Sequence, residues 1–264
     1  MTSWPDASDM PRQLALFLTA VQFLTRVPVP PLKDFQPDWT ARSARYFPLV
    51  GGLVGLASGV VLVAASQIWS GLLPALLATS VGILITGAFH EDGLADTADG
   101  LGGGQTPERR LEIMKDSRLG TYGVLALGLV LSLKVVALSQ MAVVVVLPGL
   151  AAAHAAGRGV SVLTMGLLPY AGDRASAKVK PVADGVRAGE IGVALVISVL
   201  ALVPAILIAP VATAGAVLVG GLCASLVALQ ARRLIGGWVG DTLGACEQAF
   251  EVGFLVAFVG LLGL

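Results

Sequence analysis

Asp92, Asp96 and Asp99 stand at i, i+4 and i+7 in Phe89-His90-Glu91-Asp92-Gly93-Leu94-Ala95-Asp96-Thr97-Ala98-Asp99-Gly100. On a helix that spacing lines three carboxylates along one face. Like charges so placed repel, and no Lys or Arg stands beside them. A hard cation is the expected partner. Mg²⁺ takes oxygen ligands and often shares them with substrate phosphates. The pattern therefore predicts one or two Mg²⁺ ions bridging a diphosphate and stabilising charge on the attacking and leaving oxygens. The bland alternative is a solvated helix end below a membrane.

A second group follows in Glu112-Ile113-Met114-Lys115-Asp116-Ser117-Arg118. Glu112 and Asp116 are i, i+4 on one helical face, and Lys115 and Arg118 are i, i+3 on another. One face could complete the metal site while the other holds phosphate oxygens. An ordinary amphipathic surface helix is the alternative, with ion pairs worth little. A third group lies in the run Gly236 to Gln248. Asp241 there could cap the last helix or join the site. Glu247 and Glu251 fall one and two turns inside an apolar span, where charges usually face a polar interior. His90 could be a general base or a phosphate contact, and equally a helix-end histidine. His154 could pack or line a polar crevice. Lys134 is expected to snorkel outward. Arg158, Arg174, Lys178 and Lys180 are read first as topology signals. Cys223 and Cys246 lack metal-ligand spacing.

The elements that carry these groups belong to a membrane. The chain has 264 residues, 56% apolar and 13% charged, where a soluble domain carries about 25% charged residues. Net charge is zero, so no broad nucleic-acid-binding surface is implied. No cleavable signal peptide is expected from the polar start. Leu14 to Val27 is short for a crossing, which needs about 20 apolar residues, and is read as an interfacial or re-entrant helix. Spans are expected over Phe47–Trp69, Leu72–Phe89, Gly123–Leu138, Met141–Gly157, Ile191–Ala209, Val211–Leu229 and from about Leu243 onward. The acidic stretch opens as the second of these closes. Gly100 to Gly104 should then break the chain. Thr106-Pro107 should restart a helix to about Ser117. The fold class is thus all-α, a polytopic bundle of about seven transmembrane helices plus an N-terminal interfacial helix, in one domain over residues 1–264.

Positive charge orients the bundle. Of the 17 Lys and Arg residues, all but Lys134 fall in the N-terminal region or in the loops at 90–120, 158–189 and 230–241. The positive-inside rule places those loops, and every candidate group above, on the cytoplasmic face, with the C-terminus outside.

His90-Glu91-Asp92-Gly93-Leu94-Ala95-Asp96-Thr97-Ala98-Asp99-Gly100 and the run Arg110 to Gly123 closely resemble the cobalamin synthase family, also called adenosylcobinamide-GDP ribazoletransferases. Gly240-Asp241-Thr242-Leu243-Gly244-Ala245 is similar to its C-terminal motif, and Phe23-Leu24-Thr25-Arg26-Val27-Pro28 to its N-terminal one. The resemblance implies an integral enzyme of the bacterial inner membrane. It would join adenosylcobinamide-GDP to α-ribazole or its 5′-phosphate, release GMP and require Mg²⁺. On that reading Asp92, Asp96, Asp99 and Asp116 hold Mg²⁺, with Glu112 as a further ligand. Lys115 and Arg118 contact the diphosphate, and Asp96 or Asp99 accepts the hydroxyl proton. A homo-oligomer is left open.

Two other readings compete. A CDP-alcohol phosphotransferase also uses Mg²⁺ and clustered aspartates, but its motif wants an Asp-Gly-x-x-Ala-Arg run, and Asp96 stands where that run departs. A cation transporter would want its acidic groups near the membrane mid-plane on broken helices.

Overall fold

The structure, a computed structural model, describes residues 10–32, 35–172 and 185–262. Lys33, Asp34, Arg174, Lys178 and Lys180 lie outside the described residues. The described chain is helical, apart from an isolated bridge between Tyr170 and Trp238. It begins with α1 (Arg12–Leu24) and α2 (Trp39–Ser43), which passes through a 3₁₀ turn (Ala44–Tyr46) into α3 (Phe47–Ala65). Next come α4 (Leu73–Thr86), α5 (Phe89–Gly103), α6 (Pro107–Met114) and α7 (Thr121–Ser139). The last four are α8 (Val143–Leu167), α9 (Ala188–Ile208), α10 (Pro210–Ile235) and α11 (Gly240–Leu261).

Six stretches are long and apolar enough to cross a membrane: Trp39–Ala65, α7, α8, α9, α10 and α11. A seventh crossing exists only if α4 and α5 count together, and these two are bent by 89°. The second full span expected over Leu72–Phe89 is thus a shorter helix, α4, with the acidic stretch opening at a bend as it closes. α4 has 14 residues, about 21 Å of helix at 1.5 Å per residue against a hydrocarbon core of about 30 Å. It stops because two successive residues turn left-handed, Gly87 at φ 66° and Ala88 at φ 59°. Glycine accepts that conformation freely, while Ala88 pays about 1–2 kcal/mol. The aspartate helix thus does not continue α4 in line. It lies across its end.

Two further expectations shift. α5 does not break at Gly100; it runs through Gly102 to Gly103, with Gly104 as its extended C-cap, so the hinge is the short link to Thr106. Thr106 does cap α6, its hydroxyl accepting from the Arg109 amide at 3.2 Å, with Pro107 in the first turn. But α6 ends at Met114, not Ser117. α8 takes in the apolar stretch after Gly157 and reaches Leu167.

α11 is the central post of the bundle, packed by α5, α7, α8 and α10. Phe250, Phe254 and Phe258, one turn apart on it, are fully buried and stack at 6.0 and 5.5 Å. The alanines of α8 (Ala152, Ala153, Ala155) are also fully buried. Small side chains let membrane helices approach where no hydrophobic force drives them together. The outer faces of α7, α9 and α10 carry exposed leucines and valines, as lipid contact requires.

Candidate functional site

α5 is held across the bundle top by α11, α7 and α6. Its contact with α11 is backbone to backbone. A Cβ on Gly93 would stand 2.8 Å from the Asp241 carbonyl oxygen. The crossing therefore sets Asp241 beside the turn that carries Asp92 and Asp96. Asp241 lies in the first turn of α11. The closing of that helix start falls to Thr242, whose hydroxyl accepts from the Val239 amide at 2.9 Å and donates to its carbonyl at 2.8 Å.

The three aspartates sink progressively into the fold. Asp92 is exposed, Asp96 half-buried and Asp99 buried. Asp99 has a defined structural role. Its Oδ2 accepts from the Gly120 amide at 2.7 Å and its Oδ1 from the Gly123 amide at 2.9 Å. A carboxylate thus meets the positive N-terminal end of α7. Gly123 has to be glycine for this, since a Cβ there would lie 2.5 Å from Asp99 Oδ2.

The second sequence group is placed differently from the expectation. With α6 ending at Met114, Glu112 and Asp116 do not share a helical face, and neither do Lys115 and Arg118. Glu112 is exposed and paired with Arg109 at 2.7 Å. Asp116 is paired with Arg118, Nη2 to Oδ2 at 2.5 Å. Hydrogen bonds from the Arg118 side chain, then from its backbone amide, hold the Asp116 carboxyl down to about 2; the same pairing raises the Arg118 guanidinium. α6 nevertheless folds back on α5, with Met114 and the Arg110 carbonyl against Gly100. The turn carrying Lys115, Asp116 and Arg118 then runs to Gly120, which is bonded to Asp99.

The carboxylate set fits Mg²⁺ chemically, being all hard oxygen. Asp92 and Asp99 are about 10.5 Å apart along the helix axis, too far to share one ion at about 2.1 Å per bond. Asp96 is the member common to both possible pairs. Asp99 keeps lone pairs beyond the two its amide bonds use.

Beneath this surface lies a buried ionic cluster that sequence reading only partly found. Glu251 accepts from Lys134 Nζ at 2.6 Å, His154 Nδ1 at 2.8 Å and Arg158 Nη1 at 2.9 Å. Arg158 also pairs with Glu247 at 2.5 Å. Gln248 accepts from Lys134 at 3.3 Å and donates to Glu247 at 3.0 Å and to Glu91 of α5 at 3.3 Å. Two expectations are corrected here. Lys134 does not snorkel outward but is 5% exposed, and Arg158 is no loop charge but sits inside α8 at 2%. His154 lines the polar interior, as does His90, which is 5% exposed. His90, Glu91, Lys134 and Ser58 border a cavity of about 20 Å³, which is space for one water. His154, Glu247 and Glu251 have ligand atoms within 4.8 Å of one another. The Arg158 and Lys134 side chains already supply the cations to this group. Charges inside apolar spans were the available signal; Glu91 and Gln248, flanking other polar residues, gave none.

A family model described as Cobalamin-5-phosphate synthase matches residues 16–259. An adenosylcobinamide-GDP ribazoletransferase of Leptothrix cholodnii is 45% identical over 258 residues, covering 94% of each chain. One of Shewanella amazonensis is 43% identical over 259 residues, covering 97% of each. No solved structure matches the chain. A match across nearly the whole bundle, from α1 to the end of α11, makes this chain a member of the cobalamin-5-phosphate synthase family.

Proposed function

We propose that this multi-pass membrane enzyme joins adenosylcobinamide-GDP to α-ribazole, or to α-ribazole 5′-phosphate, and releases GMP. The observation that carries the reading is α5 itself: an aspartate helix laid across the end of a short span and flanked by Asp241 and the Lys115–Arg118 turn. The relatives' names support a ribazole transfer. Nothing in the site favours a CDP-alcohol substrate or cation transport. The site then faces the cytoplasm in the inner membrane, as the charge distribution of the loops suggests, and the chain works as one domain.

The reaction needs a ribose hydroxyl to attack the phosphorus linked to cobinamide while the bond to the GMP oxygen breaks. Mg²⁺, when bound, would neutralise charge building on the phosphoryl and leaving oxygens. Asp92 and Asp96 are the primary ligands in this reading, with Asp99, Glu112 and Asp116 as further candidate carboxylates. Lys115 and Arg118, both exposed, reach for diphosphate oxygens; Arg118 exchanges Asp116 for phosphate when substrate arrives. His90 and Asp241 are assigned to the walls that orient substrate. Asp96 takes the hydroxyl proton. Asp99 is less available to the substrate, because two backbone amides already engage its oxygens.

GMP release from adenosylcobinamide-GDP and α-ribazole, followed with the purified protein in detergent, tests this. Asp92→Asn and Asp96→Asn should each lower turnover about 100-fold or more at saturating Mg²⁺, the scale of losing several kcal/mol of charge stabilisation. Chelation of Mg²⁺ should abolish it. Near wild-type turnover in both variants would sink the metal assignment.

A further inference from the structure

The α4–α5 break is supported by a residue that the proposed mechanism does not use. The Arg26 amide donates to the Ile85 carbonyl at 2.7 Å. Its side chain fills the space where a Gly87 side chain would stand, with Cγ at 2.9 Å and Cδ at 3.0 Å from a Cβ built there. The end of α1 that presents it is tied down by ring contacts and by the Thr25 hydroxyl. Phe23 stacks on Phe47 at 5.5 Å and meets Phe89 edge-on at 5.4 Å. The Thr25 hydroxyl donates to the Val21 carbonyl at 2.7 Å and accepts from the Val27 amide at 3.1 Å.

What this support presents is an exposed guanidinium engaged in no ion pair or hydrogen bond among the described residues. Asp92 is in the same condition. Its amide bonds to the Ala88 carbonyl at 2.9 Å, so it occupies the first turn after the break, and a helical side chain leans back toward the helix start. An exposed arginine beside Gly87 and an open carboxylate in the next turn therefore flank one bend, neither paired with the other. A guanidinium grips phosphate oxygens in a bidentate fork, which a carboxylate cannot do. A carboxylate in turn suits a cation. A metal-bound diphosphate offers both chemistries in one ligand.

We propose that Arg26 is a further substrate-binding residue, holding the diphosphate of the nucleotide-bearing substrate at the α4–α5 break. This rests on the transferase reading above. A phospholipid headgroup offers the same phosphate chemistry, so the test separates the two sources.

The full chain is purified in dodecyl maltoside and treated with phenylglyoxal, and Arg26 modification is read by peptide mass spectrometry. Mg²⁺ with inorganic pyrophosphate should slow modification several-fold, and phosphatidylglycerol alone should not. Protection by the lipid only, or by neither, overturns the proposal. In kinetics, Arg26→Gln should raise KM for adenosylcobinamide-GDP about ten- to a hundredfold, as for a lost hydrogen bond between charged groups. KM for α-ribazole should stay unchanged, and Arg26→Lys should recover part of the loss. An unchanged KM for adenosylcobinamide-GDP in a folded Arg26→Gln protein also overturns it. If that variant does not fold, the labelling of the wild-type chain decides. A wild-type protein that releases no GMP sinks the transferase reading instead, and pyrophosphate protection then still decides whether Arg26 binds a diphosphate.

Discussion

Asp99 and Asp92 share a helix face but not an environment. Asp99 holds two amides at the start of α7, while Asp92 faces solvent. Asp99→Asn replaces one acceptor oxygen with an amide donor that opposes a backbone N–H. It should destabilise the protein by about 1–3 kcal/mol, the cost of one unsatisfied buried group, seen as a lower melting temperature in detergent. Asp92→Asn should leave melting unchanged and remove activity. Equal melting in the two variants would show that Asp99 is not structural. Asp116 offers a pH readout. Its carboxyl is held down to about 2 from an ordinary 3.8 by Arg118. A depressed carboxylate contributes its pairing fully above the ordinary value and loses it as pH falls through the lowered one. The Asp116 carboxyl ¹³C shift should therefore stay flat as pH is lowered to about 3 and move only below that. In Arg118→Gln its midpoint should return toward 3.8.

At the scale of elements, the α5–α11 crossing positions the site. The approach leaves no room for a methyl group at Gly93. Gly93→Ala should force the helices apart at a cost of about 1–3 kcal/mol, typical of overpacking. Because the crossing carries Asp241 toward Asp92 and Asp96, turnover should fall further than stability accounts for. The check is the ratio of GMP release to folded protein at a temperature well below melting. Full activity in a folded Gly93→Ala protein would mean that the crossing does not set the site's geometry.

For the whole molecule, the Glu251 cluster links α7, α8 and α11, and Gln248 extends the link to Glu91 of α5. Breaking one partner of a buried ionic group strands the others. Glu251→Gln should cost about 3–5 kcal/mol, measured by unfolding in mixed detergent micelles. Adding Lys134→Met to it should recover part of that loss, since the second change removes a stranded charge; a double-mutant cycle gives the coupling. Additive losses would show that Lys134 and Glu251 do not act as a pair.

The membrane class, most helix spans, the Thr106-Pro107 helix start and the shared face of Asp92, Asp96 and Asp99 were all legible in the sequence. Each depends on local quantities: the run of apolar residues a bilayer demands, a capping side chain, the 3.6-residue period. The 89° bend between α4 and α5 was not legible, because Ala88 adopts a left-handed conformation that its residue type disfavours and only packing enforces. Nor could spacing reveal that Asp99 bonds amides 21 and 24 residues away, or that Glu91 reaches Gln248 across 157 residues. Lys134 and Arg158 read locally as a snorkelling residue and a loop charge. Their carboxylate partners on α11 lie 117 and 93 residues away. The sequence by itself determined that a membrane carries the chain and that three aspartates share one helix face. Tertiary structure alone decided which carboxylates stay open for a ligand and which are consumed in holding the helices, because burial and long-range pairing depend on helix packing.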